Sequence, residues 1–193
     1  IADTACFGPE AEFYIFDTVS YVSSVNIQSA KVESIEAHWN RGGLDDKPSL
    51  GNFMNLKGGY FPVPPDDIYQ DLRTKMMLTL KDLKIPIEGH HHEVGASGQA
   101  EIRFHYGTLL ETADRLLLYK YVTRNIALKN TKTVTFMPKP VLGDNGSGMH
   151  IHQSLWKNGD PLFYDSKGWY AGLSQLARFY IGGVLKHTPA ILG

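Results

Sequence analysis

The amino-acid sequence predicts an α+β domain. Three long stretches place apolar residues at helical spacing, and strand-like stretches rich in Phe, Tyr, Ile and Val lie between them. The strand-like stretches are joined by glycine- and proline-rich turns, whereas a parallel sheet would need crossover connections, so α+β is favoured over α/β. The 193 residues are 42% hydrophobic, which is enough for one domain with a buried core.

The first strand is predicted for residues 7–17, which open with a Gly-Pro turn and continue with Phe, Tyr and Ile. Glu10 and Glu12 lie two residues apart, so their carboxylates share one face of this strand. Like charges side by side destabilise a strand. Two interpretations follow: an edge strand with solvated acids, or a cation held between the two carboxylates.

Residues 18–57 are polar and have few periodic apolar positions. This pattern predicts an excursion outside the core, with room for a short hairpin and little chemical information. Residues 57–65 close the excursion as an extended, turn-rich segment. The first helix is predicted for residues 66–84, where Asp67 and Gln70 have the spacing of a capping box.

A hairpin is predicted for residues 88–101, because Gly95 and Gly98 bracket a turn between two strand-like arms. Such a hairpin would bring Glu93 and Glu101 near each other, although one sequence leaves the register open. The stretch includes three successive histidines, which a solvated polar tract would also explain. Five of the eight histidines lie here or beside the glycine-rich loop described below, and this clustering favours a binding site.

The remaining regular elements are two helices and one strand. The second helix is predicted for residues 108–129, with a capping box formed by Thr108 and Glu111. A strand follows at residues 133–136, and apolar spacing predicts a last helix at about residues 170–186.

The stretch that organises the sequence is a glycine-rich loop followed by two histidines. Three glycines within residues 143–148 let the backbone approach a ligand closely or take positive φ. His150 and His152 then alternate with apolar residues, so a strand would place both imidazoles on one face. The polar residues between the glycines are Asp144, Asn145 and Ser147. A binding surface is one interpretation, and a hairpin turn with two surface histidines is the other.

Composition narrows the function classes. The formal net charge is -1 with no long run of one sign, so a nucleic-acid-binding surface is not indicated. No apolar run approaches the roughly 18 to 20 residues of a membrane span. Cys6 is the only cysteine, so no intrachain disulfide can form, and we expect a cytoplasmic protein.

The acids and histidines together indicate a divalent-cation site. The candidates are Glu10, Glu12, Glu93, Glu101 and His150, with His91 and His152 beside them. Several carboxylates in one cleft repel unless they hold cations, and Glu with one His suits Mg²⁺ or Mn²⁺ better than structural zinc. Two such ions can bridge a transferring phosphoryl group. A metal-assisted enzyme is therefore predicted, and a non-catalytic metal-binding or scaffold protein is the competing class.

Six motifs occur in the order of one known family: G-P-E-A-E-F-Y-I-F-D at 8–17, K-G-G-Y-F-P-V-P-P at 57–65, H-H-H-E-V-G-A-S-G-Q-A-E at 90–101, K-T-V-T-F-M-P-K-P at 132–140, D-N-G-S-G-M-H-I-H at 144–152 and Y-A-G-L-S at 170–174. On these motifs the chain resembles the central part of the catalytic domain of glutamine synthetase, type I, of the bacterial and particularly actinobacterial kind. The resemblance implies an antiparallel sheet that forms an active-site funnel with packed helices. It also implies cytoplasmic, ATP-dependent ligation of ammonia to glutamate through γ-glutamyl phosphate, in nitrogen assimilation.

The resemblance further implies roles for individual residues. Glu12, Glu93 and Glu101 would hold a first Mg²⁺ or Mn²⁺ ion, and Glu10 and His150 a second. The other implied contacts are Asn145 and Gly146 with glutamate, Glu88, Tyr106, His152 and Ser154 with nucleotide, and His91 near the phosphates. A homo-oligomer of twelve subunits is implied as well.

The chain departs from the family pattern mainly by what it lacks. Ala11 and Ile151 replace residues common in the family but supply no ligand, so we expect little effect. The chain starts without methionine, and the family's amino-terminal small domain and carboxy-terminal part are missing. We therefore expect a fragment that is inactive by itself. Within the family, the alternatives are a γ-glutamyl-polyamine ligase and a catalytically inactive paralogue.

Overall fold

The computed structural model describes residues 1–40, 51 and 54–192. The elements are β1 (Thr4–Phe16), β2 (Thr18–Ser23), β3 (Gln28–Glu33), α1 (Gln70–Asp82), β4 (Ile87–His92), β5 (Gln99–Phe104), β6 (Gly107–Thr108), α2 (Leu109–Lys129), β7 (Thr133–Thr135), β8 (Met149–Lys157), β9 (Asp160–Pro161) and α3 (Gln175–Ile191). All the strand pairings of known register are antiparallel, which agrees with the predicted α+β class. Among the described helices, none is both long and apolar enough to cross a membrane.

The chain forms two compact units. The larger unit comprises Pro9–His105 and Ala113–Ile151, and the smaller unit comprises Ile1–Gly8, Tyr106–Thr112 and His152–Gly193. In the larger unit β1 pairs with β5 along one edge and with β7 along the other, and β5 pairs with β4. In the smaller unit the start of β1 pairs with β6, and β8 pairs with β9.

The core of the larger unit lies between one face of this sheet and the first two helices. Phe13 and Ile15 of β1 are fully buried there, because alternate residues of a strand point to the same side. Met76 and Leu80 of α1 and Tyr119 of α2 pack in the same cluster. The opposite face of β1 therefore carries Glu10 and Glu12, away from the helices.

The first helix is shorter than its sequence pattern predicts, and the predicted capping box does not form. Tyr69 occupies the N-cap position without a side-chain bond to the helix. Asp67 instead accepts hydrogen bonds from both terminal nitrogens of the buried Arg73, 2.8 Å for the Nη1–Oδ1 pair. A buried arginine needs a carboxylate partner, and this need outweighs the cap.

The second and third helices match their predictions differently. The second helix agrees closely, and the Thr108 amide and hydroxyl donate to Glu111 at 3.3 and 2.9 Å. The third helix begins later than predicted, because the Ser174 hydroxyl accepts a hydrogen bond from Ala177 N and so caps it at that point. It also continues through Pro189 to Ile191, beyond the predicted end at about residue 186.

The polar excursion differs from its prediction. Strands β2 and β3 form the expected hairpin, and its side chains are mostly exposed. The chain then returns to the core, where Ser34, Glu36 and Ala37 are fully buried. The prediction that this excursion lies wholly outside the core is therefore wrong. Residues 41–50 and 52–53 of the excursion lie outside the described residues.

Candidate metal and substrate site

The register of the central strands gathers acidic side chains on one face of the larger unit. Glu12 of β1 lies opposite Glu101 of β5, and Glu101 lies opposite His91 of β4. Directly opposed residues on antiparallel strands point to the same face, so the three side chains stand together. The predicted hairpin of residues 88–101 thus forms with a register that serves the site.

Three ligand groups lie close enough to share one cation. His91, Glu93 and Glu101 each offer an atom within 4.8 Å of the others, and all three residues are buried. The His91 Nε2 atom lies 2.7 Å from the Glu93 Oε1 atom. Glu93 is thus placed near Glu101 across the turn, as the sequence predicts.

Glu12 is held in place by its neighbours. Its Oε2 atom accepts a hydrogen bond from the Gln99 side-chain amide at 2.7 Å and another from the Gly148 amide at 3.0 Å. A side chain at position 148 would begin only 3.2 Å from the other carboxylate oxygen of Glu12. The strand and the glycine-rich loop therefore fix the direction of this carboxylate together.

A second pair of candidate ligands consists of one carboxylate from β1 and one imidazole from β8. The His150 Nδ1 atom is 3.6 Å from the Glu10 Oε2 atom. His150 is exposed, whereas Glu10 is partly buried. The family resemblance implies these two residues as ligands of a second ion, and their side chains lie close together.

The electrostatics of the cluster favour a bound cation. Burial, together with Glu10, Glu93 and Glu12, raises the pKa of Glu101 to about 7 even though His91 opposes the rise. Burial also raises the pKa of Glu12, and the charge of Glu93 adds to this effect. Burial raises the pKa of Glu93 as well, but hydrogen bonds from His91 and the Val94 amide outweigh it, so the net shift is downward.

The donor set fits Mg²⁺ or Mn²⁺. Oxygen donors dominate it, and the pKa of Glu101 stays raised although the Arg103 Nε atom lies 3.9 Å from its carboxylate. Hard divalent ions prefer such oxygens, whereas structural zinc prefers sulfur and nitrogen.

The glycine-rich loop is anchored beside this cluster. Asp144 is fully buried and accepts hydrogen bonds from the amides of Lys57 and Asn145 at 3.3 and 2.9 Å. The Gly146 carbonyl accepts from Gln99 at 2.9 Å. A Cβ at position 146 would lie 2.6 Å from the Pro138 carbonyl oxygen, so only glycine fits there. Asn145 and Gly146, the implied glutamate contacts, are therefore held in one conformation.

The ring of His91 contacts two aromatic side chains of the extended segment at residues 57–65. Its ring stacks on Phe61 with a centroid distance of 4.4 Å, and Tyr60 meets it edge-on at 6.0 Å. The Nδ1 atom of His91 is buried without a hydrogen-bond partner. The Nε2 atom of His91 thus faces the Glu93 carboxylate, while Phe61 and Tyr60 pack against its ring.

The implied nucleotide contacts are divided between the two units. Glu88, in the larger unit, pairs with His105 at 3.0 Å. In the smaller unit, Tyr106 and His152 flank Gly8, whose added Cβ would lie 3.3 and 3.7 Å from their Cβ atoms. Ser154 accepts a hydrogen bond from the Trp156 indole at 2.9 Å.

Sequence reasoning missed one residue that helps to build the site. Gln99 is fully buried and joins Glu12, Gly146 and the Gly95 amide through its side chain. Its position two residues before Glu101 could have revealed that it shares the site face.

Comparisons with known proteins identify the family. The family described as glutamine synthetase, catalytic domain, matches residues 2–193. Glutamine synthetases from Frankia alni and Streptomyces coelicolor are 58% and 56% identical over 192 residues, which is 100% of this chain and 40% of each relative. A cryo-electron microscopy structure of Plasmodium falciparum glutamine synthetase superposes with a TM-score of 0.86 at 34% identity, over 97% of this chain and 37% of that one. The chain therefore belongs to the glutamine synthetase family.

Proposed function

We propose that this chain supplies the cation-binding and glutamate-binding parts of an enzyme that ligates ammonia to glutamate at the expense of ATP. Membership of the glutamine synthetase family supports the reaction class. The observation that carries the proposal is the grouping of His91, Glu93 and Glu101 within 4.8 Å of one another, with Glu12 directly opposite Glu101 on the neighbouring strand. Because the chain spans about 40% of the length of the relatives it matches, the activity belongs to the full-length protein.

The proposed ligands follow from the two clusters. Glu12, Glu93 and Glu101 would hold one divalent ion, and Glu10 with His150 would contribute to a second. Such ions would neutralise charge between the glutamate carboxylate and the phosphates of ATP, two anions that must meet. Mg²⁺ or Mn²⁺ and ATP are therefore the proposed cofactor and co-substrate.

In this proposal the residues of the chain bind and orient the cations, glutamate and the nucleotide. Gln99 and the Gly148 amide fix the Glu12 carboxylate, so its ligand oxygen needs no rearrangement when a cation arrives. Asn145 and Gly146 would receive glutamate on a loop that Asp144 and Gln99 hold rigid. Glu88, Tyr106, His152 and Ser154 would contact the nucleotide, with His91 near its phosphates. Assembly into a dodecamer and a cytoplasmic location are part of the same proposal.

The test measures ATP-dependent product formation by the full-length protein with glutamate and Mg²⁺, comparing ammonium with putrescine. We expect glutamine formation with ammonium alone. A Glu12→Ala variant should lose this activity, whereas Asp114→Asn, which alters an exposed carboxylate on α2, should retain it. Product with putrescine alone would assign the related amine ligase, and no product with either would overturn the proposal in favour of an inactive paralogue.

A further inference from the structure

Glu36 is a buried carboxylate that the cation site does not itself use. Its side chain is fully shielded from solvent. One oxygen, Oε1, accepts hydrogen bonds from the amides of Ile68 and Tyr69 at 2.6 and 3.1 Å, just ahead of α1. The other oxygen, Oε2, lies 3.0 Å from the His92 Nε2 atom. Glu36 thus joins the start of α1 to the end of β4.

His92 continues this connection to a candidate cation ligand. Its second ring nitrogen, Nδ1, lies 2.6 Å from the backbone carbonyl oxygen of Glu93. The Glu93 amide donates to the Gln99 carbonyl at 2.8 Å on the other side. The backbone that carries the Glu93 carboxylate is therefore fixed by hydrogen bonds at both its carbonyl and its amide.

The polar groups of this connection have partners throughout. A buried carboxylate is costly unless donors surround it, and Glu36 receives two amides and an imidazole. The ring of His92 is confined as well, because a Cβ at position 59 would lie 2.7 Å from its Cε1 atom. If Glu36 served only to accept from the amides of Ile68 and Tyr69 ahead of α1, its bond to His92 would not be needed.

We propose that Glu36 is a positioning residue which, through His92, holds the Glu93 carboxylate in the direction needed to bind a divalent cation. The inference rests on the proposed cation site. Glu36 touches no cation ligand side chain itself, so it acts on the site only through His92. Residues that orient metal ligands in this way commonly change metal affinity by roughly 10- to 100-fold when they are removed.

The experiment measures Mn²⁺ binding and thermal unfolding of the full-length protein and its variants. Glu36→Ala removes the connection. Glu36→Gln keeps it, because a glutamine can accept from the two amides and donate to a neutral His92. Asp17→Asn is the matched control, since Asp17 also supports this region by accepting from Tyr69 Oη and Ile35 N, both at 2.6 Å, but contacts neither His92 nor Glu93.

We expect Glu36→Ala to weaken Mn²⁺ binding at least tenfold, in line with the range above, with Glu36→Gln within about threefold of the unmodified protein. Asp17→Asn should lower the unfolding temperature without weakening binding. Unchanged affinity in Glu36→Ala would overturn the inference, and so would a Glu36→Gln affinity as weak as that of Glu36→Ala, since charge would then act through space.

Two further variants keep the inference testable. If Glu36→Ala does not fold, His92→Gln retains a donor to Glu36 but leaves the Glu93 carbonyl without its partner, and it should weaken Mn²⁺ binding to a similar extent. Glu101→Ala provides the baseline. If the unmodified protein binds Mn²⁺ no better than Glu101→Ala, the proposed cation site is wrong. If the unmodified protein binds Mn²⁺ better than Glu101→Ala, but Glu36→Ala binds as tightly as the unmodified protein, only the positioning role is wrong.

Discussion

Glu101 is the candidate ligand whose charged form the folded protein disfavours most. Burial removes the water that would otherwise stabilise its charge, and the nearby charges of Glu10, Glu93 and Glu12 add to this effect. The pKa of about 7 follows from both effects. Without a cation, the folded protein favours the protonated form of Glu101, so its contribution to stability is present at acidic pH and is lost as the pH rises toward about 7.

The first prediction is that Mn²⁺ affinity rises between pH 6 and pH 8, because the cation must displace the proton on Glu101. With a pKa of about 7 the ionised fraction grows from about 0.1 to about 0.9 over this range, so the change should be about tenfold. Titration of the full-length protein with Mn²⁺ at both pH values measures it. In Glu101→Gln the affinity should be lower and its pH dependence smaller. An affinity that does not change with pH in the unmodified protein would contradict the interpretation.

At the scale of elements, alternation along strands was the most informative pattern in the sequence. It placed Glu10 and Glu12 on one face of β1 and indicated that Glu93 and Glu101 approach across a hairpin, because side-chain direction in a strand follows from position alone. The pairing of Glu12 with Glu101 required the register, which depends on tertiary packing. Glu36 could not be found in the sequence, since its role arises from hydrogen bonds to an amide pair and a histidine far along the chain.

Helix boundaries show the same division between local and tertiary causes. The second helix matched its sequence pattern because its cap partners, Thr108 and Glu111, are neighbours in the chain. The first helix did not, because Asp67 is engaged by the buried Arg73, and a carboxylate more than thirty positions away accepts from the amides ahead of the helix.

The second prediction concerns the cap of α3. Ser174→Ala removes the hydroxyl that accepts from the Ala177 amide, and loss of such a cap typically costs about 1 kcal/mol of unfolding free energy. Urea denaturation of the full-length protein measures the change. Gly182→Ala in the same helix is the opposing control: its added Cβ meets nothing within 4 Å, so it should stabilise by about 0.5 to 1 kcal/mol. Unchanged stability in Ser174→Ala would contradict the capping role, and destabilisation by Gly182→Ala would show that the added methyl group meets other parts of the protein.

At the scale of the molecule, the larger unit contains both candidate ligand clusters, and their residues come from strands β1, β4, β5 and β8 and from the turn that follows β4. These strands meet only when the unit has folded, so a cation bound there adds its binding free energy to the stability of the fold. At a free Mn²⁺ concentration of about 100 times Kd this contribution is about 2.7 kcal/mol.

The third prediction is that this stabilisation is local to the ligand strands. In hydrogen exchange on the full-length protein, Mn²⁺ should slow exchange in β4, β5 and the second half of β1, where the ligands are anchored. The hairpin of β2 and β3 is an internal comparison, because its side chains are mostly exposed and it contributes no ligand, so its exchange should stay unchanged. Glu101→Ala should abolish the Mn²⁺ effect. Equal slowing in the hairpin and the ligand strands, or slowing that survives Glu101→Ala, would mean that the cation acts elsewhere on the molecule.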